Sequence, residues 1–174
     1  MSAEKISIRY AKALFDLSET NGSIEQVKGD MTLILNAIDS NKELAEALKS
    51  PIIKADKKQS FIKEIFGSKI QENTLSLLNL MVEKGREKYT RDVCISFMDL
   101  YNKKNQIIPV KLRTAVAISD QMKKEITASI KGTVQIETTV DASLVGGFIV
   151  EYDNQMFDSS VARSITVLKQ KFAN

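Results

Sequence analysis

The stretch that decides the fold is DASLVGGFIV, residues Asp141–Val150. It follows an alternation of apolar and polar residues from Val134 to Val140, which is typical of a half-buried strand. Gly146 and Gly147 lie between apolar residues, so the backbone there either bends sharply or approaches a neighbouring segment where a Cβ atom would clash. The stretch therefore predicts a corner that leads from one strand of a small sheet into the next.

Beyond the corner, Phe148–Tyr152 continues the alternation as a further strand. Asp153-Asn154 suits a hairpin turn, because both residues tolerate a positive φ. Asp158 or Ser159 is expected to cap a last helix. The apolar residues of that helix fall on one stripe: Val161, Ile165, Leu168 and Phe172.

Upstream of the corner, another strand and a helix are predicted. Residues alternate between apolar and polar from Ile108 to Ile118, and Pro109 indicates an edge or the beginning of that strand because it has no N–H group. Ser119 then caps a helix that ends at Gly132. The residues from 106 to 174 are therefore expected to form a small α/β domain.

The first 105 residues carry a helical period throughout. Stop signals, above all Asn21-Gly22, Gly67 and Gly85, divide them into six predicted helices. The predicted starts are Ile6 for the first helix, a Ser23/Gln26 capping box for the second, Asn41 for the third, Asp56 with Gln59 for the fourth, Gln71 for the fifth and the region of Tyr89 for the sixth. The fold class that follows is an all-α six-helix bundle over residues 1–105 and a small α/β domain over 106–174.

The first and fifth of these helices carry more apolar surface than one core needs. The fifth is apolar around most of its circumference, through Leu75, Leu77, Leu78, Leu80, Met81 and Val82. The first has Tyr10, Ala13, Leu14 and Leu17 on one side and Ala11 and Phe15 on another. Such a helix is either central in the bundle or covered on its outer side by a partner.

The composition is poor in histidine and cysteine, two residue types that commonly carry catalysis. The chain has 174 residues, no histidine and one cysteine, so it lacks the commonest general base and cannot form a Cys/His zinc site. Its seven glycines form neither a P-loop nor a dinucleotide fingerprint. We therefore predict no catalytic residue, no cofactor and no metal site, and we expect Cys94 to be a small core residue.

Three carboxylates near the glycine corner, those of Asp141, Asp153 and Asp158, suggest either an acid pair or a cation site. Turn and helix-cap roles explain all three without a ligand, and we favour those roles. The N-terminus has no secretory signal, and no apolar run approaches the roughly 20 residues that a membrane span needs.

Three motifs together resemble one known family. They are RYAKALF at Arg9–Phe15, LMVEKGR at Leu80–Arg86, and the whole stretch Val134–Val161. In this order and over this length they resemble the delta subunit of rotary ATP synthases, whose mitochondrial relative is the oligomycin-sensitivity-conferring protein. One departure is the hairpin at Tyr152–Gln155, which lacks the glycine that is frequent in the family.

The resemblance implies a non-enzymatic stator subunit. A helical bundle would receive the N-terminal helix of an alpha subunit between its first and fifth helices, and the α/β domain would contact the b subunits of the peripheral stalk. The residues implied for the alpha site are Tyr10, Ala13, Leu14, Leu17, Leu77, Leu80, Met81 and Lys84. Gly146, Gly147 and Asp158 would form the structural corner of the stalk-binding domain.

The resemblance also implies a location and excludes some partners. The subunit would be peripheral on the cytoplasmic face of a bacterial inner membrane, held there through the complex, with no nucleic acid bound and no direct insertion into the membrane. The alternative function is a helical adaptor for nucleic acid or signalling partners, suggested by the lysine-rich edges of the bundle. Lys54, Lys57, Lys58 and Lys63, around the fourth helix, are themselves expected to form a solvated helix face. Interleaved acidic residues such as Glu43, Glu46 and Glu64 argue against that alternative.

Overall fold

The protein is described here by a computed structural model that covers residues 3–117, 133–152 and 155–173. The chain divides into two compact units, Met1–Tyr101 and Asn102–Asn174. The first unit is helical, and the second combines a sheet with a helix. The predicted helix from Ser119 to Gly132 and the predicted turn at Asp153-Asn154 lie outside the described residues.

The helical unit follows the predicted pattern closely. Its helices are α1 Ala3–Thr20, α2 Ile24–Ser40, α3 Lys42–Lys49, α4 Ala55–Phe66, α5 Glu72–Glu83 and α6 Thr90–Lys104. A 3₁₀ turn at Glu87–Tyr89 precedes α6. The helical period does not separate that turn from the helix that follows it, so the sequence predicted one continuous element here.

Glycine ends α1 and α5 in the way that the sequence predicts. Gly22 and Gly85 have φ values of +65° and +64°, in the left-handed region that favours glycine. The N–H of Ser23 then donates to the carbonyl of Ser18 at 2.9 Å, and the N–H of Arg86 donates to that of Met81 at 2.7 Å. These bonds satisfy carbonyls that the last turn of each helix would otherwise leave unpaired.

The capping box predicted for α2 is wrong. Ser23 makes no side-chain cap bond, and its backbone angles of −105° and 18° are not the extended conformation that a capping serine needs. The cause is its position, because Ser23 directly follows Gly22 and belongs to the turn that ends α1. Its Oγ is buried with no partner in the described part of the chain.

The start predicted for α4 is also wrong, while the start of α3 is confirmed. Helix α4 begins at Ala55 with Lys54 as its N-cap, so Asp56 lies inside the first turn and does not cap. At α3, Oδ1 of Asn41 accepts a hydrogen bond from the N–H of Leu44 at 3.1 Å, as the sequence predicts.

The N-terminus of α5 is capped from another helix. Asp30 of α2 is buried, and its Oδ2 accepts hydrogen bonds from the Gln71 N–H at 2.8 Å and from Thr74 Oγ1 at 2.7 Å. A carboxylate at this end of a helix satisfies orphan donors and complements the helix dipole. Asp30 therefore fixes the start of α5 relative to α2.

A buried ion pair joins α4 to the 3₁₀ turn. Nζ of Lys58 donates to a carboxylate oxygen of Glu87 and also to the carbonyl of Leu48, at 3.3 Å for the latter. The lysine thereby satisfies a carbonyl near the end of α3 as well as the buried acid. Three segments that are distant in sequence are held at one point.

Apart from these polar groups, the interior of the helical unit is formed mainly by apolar side chains from several helices. Phe97 of α6 packs against Phe15 of α1 with ring centroids 5.6 Å apart. Cys94 is buried, as expected for a small core residue, and burial raises the pKa of its thiol to about 12. A thiol in that state stays protonated and unreactive at neutral pH.

The second unit contains a four-stranded sheet in the order β2-β1-β3-β4. The strands are β1 Ile107–Thr114, β2 Thr133–Val140, β3 Phe148–Tyr152 and β4 Gln155–Asp158, and a helix, α7, covers Val161–Ala173. β1 pairs with β2 in parallel and with β3 in antiparallel fashion, and β3 pairs with β4 in antiparallel fashion. Alternation in the sequence does not predict β4, because four residues are too few to show a clear period.

Pro109 marks the beginning of a strand and not an edge. β1 lies between β2 and β3, but its pairing with β3 begins only at Val110, opposite Tyr152. Pro109 lies just before that ladder, where a missing N–H costs no bond to β3. Val110, Leu112 and Val150 form the small apolar core of the sheet.

Candidate functional site

Helix α1 presents a buried row and, next to it, an accessible row. Ala11, Leu14 and Phe15 are buried in the core of the helical unit. Ala13 is exposed, Tyr10 is half-buried, and Leu17 is 44% exposed. The excess of apolar residues predicted on this helix is therefore present. It divides into a buried row, which includes Leu14, and an accessible row.

Helix α5, which contacts α1, is divided in the same way. Leu77 and Met81 are buried, whereas Leu80 is 41% exposed and Lys84 is exposed. Of the eight residues assigned to the alpha site, Leu14, Leu77 and Met81 thus lie in the interior. The other five form what we name the α1/α5 surface: Tyr10, Ala13, Leu17, Leu80 and Lys84.

The burial patterns of the two helices agree at three of the positions assigned to the alpha site when one helix is shifted by a constant number of residues, although half-buried Tyr10 then corresponds to buried Leu77. Exposed Ala13 and Leu17 correspond to exposed Leu80 and Lys84, and buried Leu14 corresponds to buried Met81. Each helix therefore turns one row toward the core and leaves the adjoining row accessible. Hydrophobic periodicity predicts both rows, but it does not indicate which of them the core covers. The reason is that residues in neighbouring rows of a helix have the same spacing of three and four positions.

At the glycine corner, a close approach of backbone requires glycine at Gly147 and leaves little room at Gly146. Gly147 has a φ of +76°, and a Cβ built there would lie 2.1 Å from the carbonyl oxygen of Ser159. A Cβ on Gly146 would lie 2.9 Å from Cγ2 of Val161. The corner therefore has no space for a side chain against the segment that leads into α7.

Hydrogen bonds fasten α7 to this corner. The N–H of Val161 donates to the carbonyl of Gly146 at 3.0 Å, and the N–H of Ser159 donates to the carbonyl of Phe148 at 3.0 Å. The two backbones can come this close because Gly146 and Gly147 have no side chain. The position of α7 is thus set by the Gly146–Phe148 backbone.

The residue that caps α7 is Ser160, not Asp158 or Ser159. Ser160 Oγ accepts a hydrogen bond from the N–H of Arg163 at 3.2 Å, and Oδ1 of Asp158 accepts one from the N–H of Ser160 at 2.9 Å. Asp158 therefore forms a turn that orients the capping serine. The hydrogen bonds that Asp158 accepts from Ser160, chiefly the one from its N–H, lower the pKa of the Asp158 carboxyl.

Asp141 has a similar local role at the other side of the corner. Its Oδ1 accepts hydrogen bonds from Ser143 Oγ at 2.6 Å and from the Ser143 N–H at 3.0 Å, which together lower the pKa of the carboxyl. Turn roles are therefore confirmed for Asp141 and Asp158, and Asp153 lies outside the described residues. Within the described ranges, no three acidic, histidine or cysteine side chains come together as a metal site.

The second unit also has an accessible apolar surface. On α7, Val161, Ile165 and Leu168 are exposed, as are Met156 and Phe157 on β4. The spacing of apolar residues predicts the stripe on α7 but carries no signal for its exposure. The two β4 side chains were missed because that strand was not predicted.

Comparison with known proteins agrees with the resemblance found in the sequence. The family model described as ATP synthase delta (OSCP) subunit matches residues 6–172. The chain is 33% identical over 175 residues to the ATP synthase subunit delta of Cytophaga hutchinsonii, covering 99% of this chain and 96% of that protein. It is 31% identical over 166 residues to the chloroplastic subunit of Emiliania huxleyi, covering 92% of each.

A solved structure shares the fold. A chain of the Toxoplasma gondii mitochondrial ATP synthase hexamer superposes with a TM-score of 0.73 at 24% sequence identity, covering 97% of both chains. The family match extends over nearly the whole length, from the helical unit through the glycine corner to α7. The chain therefore belongs to the ATP synthase delta (OSCP) subunit family, a structural and non-catalytic component of the peripheral stalk.

Proposed function

We propose that this chain links the catalytic alpha/beta head of the ATP synthase to the b subunits of the peripheral stalk, so that the head does not turn with the rotor. The six helices would form one bundle that carries the site for the N-terminal helix of an alpha subunit. The observation that carries the proposal is the α1/α5 surface, an accessible row on each of two helices that contact each other.

The chemistry of this surface suits an amphipathic helix. Tyr10, Ala13 and Leu17 are spaced by three and four residues, which is the spacing of anchors in helix-in-groove binding. Ala13 leaves room for a partner side chain between the larger Tyr10 and Leu17. Covering the exposed parts of Leu17 and Leu80 would favour binding by on the order of 1 kcal/mol each.

The test is titration of a peptide from the alpha N-terminus against the full chain and two matched variants. Ala13→Asp should weaken binding by on the order of 2–4 kcal/mol, because the new carboxylate would be desolvated without a partner. Ile8→Asp is the control, since Ile8 is also exposed on α1, at 45%, but is not part of the α1/α5 surface.

Circular dichroism checks that both variants fold, as expected for substitutions at exposed positions. Equal affinities for Ala13→Asp and the unsubstituted chain would mean that alpha binds elsewhere. An equal loss in both variants would mean that the peptide responds to the charge of α1 and not to a groove.

The second unit would bind the ends of the b subunits. Val161, Ile165 and Leu168 on α7 are spaced by four and three residues and are exposed, which again suits a helical partner. The glycine corner, through Gly146, Gly147 and Asp158, would act by holding α7 in place and not by contacting the stalk.

The b contact can be tested with a closely matched pair. Ile165 and Val167 are each 41% exposed on α7, but Val167 lies off the Val161–Ile165–Leu168 stripe. Ile165→Asp should reduce capture of a soluble b fragment at least tenfold, and Val167→Asp should leave it nearly unchanged. Both variants should keep their affinity for the alpha peptide; if Val167→Asp were the more harmful, the stripe would not be the b site.

We propose a peripheral location on the cytoplasmic face of a bacterial inner membrane, through the complex alone. In the part of the chain that the structure describes, no helix combines the length and the apolarity that crossing a membrane requires. Washing membranes with low-salt buffer lacking divalent cations should release the chain together with other extrinsic subunits. Retention of the isolated chain on lipid vesicles would contradict the proposal.

A further inference from the structure

A cleft of about 200 Å³ lies in the helical unit among residues of α2, α3, the 3₁₀ turn and α6. None of its lining residues belongs to the α1/α5 surface. Its apolar lining comes from Ile38 at the end of α2 and from Ala45 and Leu48 of α3. A cleft of this size holds one or two apolar side chains and not a cofactor.

Lysines surround this apolar lining. Lys42 and Lys49 stand on α3 beside Ala45, three and four residues away along one helix face, and Lys88 is in the 3₁₀ turn. All three are exposed. Among the described residues, none of them takes part in an ion pair. We name Lys42, Lys49 and Lys88 the rim lysines.

The acidic residues of the cleft are already occupied. Asp39 forms a bidentate pair with Arg91, with Oδ1–Nε and Oδ2–Nη2 distances of 2.7 and 3.1 Å. Glu87 pairs with buried Lys58. Neither carboxylate is therefore available to neutralise the rim, which keeps three positive charges around an apolar opening.

We propose that this cleft is a second interaction surface, which binds an acidic amphipathic protein segment. One apolar side chain of that segment would enter the cleft, and its carboxylates would pair with the rim lysines. The mixture of charge and apolar lining favours such a segment over nucleic acid, because a phosphate backbone offers no apolar group to fill the opening. The proposal goes beyond the head and stalk contacts and does not depend on them.

The probe is a short synthetic amphipathic helix of leucine and glutamate with a fluorescent label, titrated against the full chain. Replacing all three rim lysines by glutamate should lower its affinity at least tenfold. The control makes the same change of total charge at exposed positions outside the cleft, and it should lower affinity by less than about threefold. The control substitutions are Lys12→Glu, Lys63→Glu and Lys69→Glu.

A single substitution separates insertion from simple charge attraction. Ala45→Arg adds a positive charge, which would strengthen binding if attraction alone were responsible. Because the longer side chain would fill the cleft, we expect it to weaken binding about tenfold. A peptide with glutamine in place of glutamate should bind at least tenfold more weakly than the acidic peptide.

Three results would overturn the proposal: tighter binding to Ala45→Arg, equal loss in the rim and control triple variants, or loss of binding in Ala13→Asp, which would assign the peptide to the α1/α5 surface. Stronger binding of vesicles of anionic lipid than of the peptide, with the same dependence on the rim lysines, would assign the cleft to a membrane surface and would also overturn it. Circular dichroism of each variant confirms that the helices are intact.

Discussion

At the scale of single residues, Gly147 is the position where a side chain has least room. Gly147→Ala should lower the free energy of unfolding of the second unit by on the order of 3 kcal/mol, since it combines a disfavoured φ with contact against the Ser159 carbonyl. Gly85→Ala is the matched control, with a φ of +64° but nothing within 4 Å of the added Cβ. It should cost about 1 kcal/mol, from backbone strain alone.

Denaturant titration of the full chain measures the free energy of unfolding of each variant. Amide exchange in β1 and in α1 then reports the stability of the second and the first unit separately. Gly147→Ala should accelerate exchange in β1 and leave α1 unchanged. Equal costs at Gly147 and Gly85 would show that the approach of Ser159 adds nothing to the strain of the backbone.

Asp158 should make stability depend on pH. Its pKa is lowered in the folded protein, mainly by the bond from the Ser160 N–H, so the stabilisation is complete above the ordinary value of about 3.9. It is lost as the pH falls through the lower folded pKa. Asp158→Ala should therefore be less stable than the unsubstituted chain at neutral pH, and the difference should shrink below about pH 4.

Asp158→Asn provides the comparison, because its side-chain oxygen can still accept from Ser160 but carries no charge to titrate. Unfolding by urea at several pH values measures the difference. A gap between Asp158→Ala and the unsubstituted chain that stays constant down to pH 2 would contradict a role for the ionised carboxylate.

At the scale of elements, the start of α5 depends on a residue of α2. Asp30→Ala should destabilise the helical unit by about 2–3 kcal/mol, because it leaves the buried Thr74 hydroxyl and the part-buried Gln71 N–H without their acceptor. Thr74→Val removes only one of these bonds and should cost about 1 kcal/mol. Thermal unfolding measures both, and a larger cost for Thr74→Val than for Asp30→Ala would refute the remote cap.

The elements differ in how far their sequence determines them. The ends of α1 and α5 were predictable because Gly22 and Gly85 act within one turn of chain. The start of α5 was not predictable, since Asp30, which accepts the hydrogen bond of its first N–H group, lies 41 residues earlier in the chain than Gln71. Local signals also misassigned Ser23, whose conformation is set by the helix before it and not by the helix after it.

The candidate site shows the same limit. Spacing identified the apolar surplus on α1 and α5, but the exposure of Ala13 and the burial of Leu14 depend on which neighbours each row meets. That information is long-range and is absent from the period of a single helix. The cleft around Ala45 had no sequence signal at all, because its residues come from four separate elements.

At the scale of the whole molecule, the connection between the units is short. Helix α6 ends at Lys104 and β1 begins at Ile107, with Gln106 at a φ of +53° between them. Brief trypsin treatment should cut first after Lys103 or Lys104 and release a stable fragment of about 105 residues, as is usual at exposed polar connections. Mass spectrometry identifies the fragment. Two independent domains would be contradicted if trypsin cut first inside α1 to α5, or if both units unfolded in a single transition on heating.

The central place of β1 in the sheet has a consequence for synthesis on the ribosome. The helices of the first unit can meet as soon as the chain has passed Tyr101, but the apolar core of the sheet is complete only when Val150 of β3 joins Val110 and Leu112 of β1. Roughly 35 residues separate the end of β1 from the start of β3, which at about 5–20 residues per second is a delay of about 2–7 s. During that interval β1 can pair with β2 alone, so its apolar side chains stay without the cover that Val150 gives them in the finished sheet.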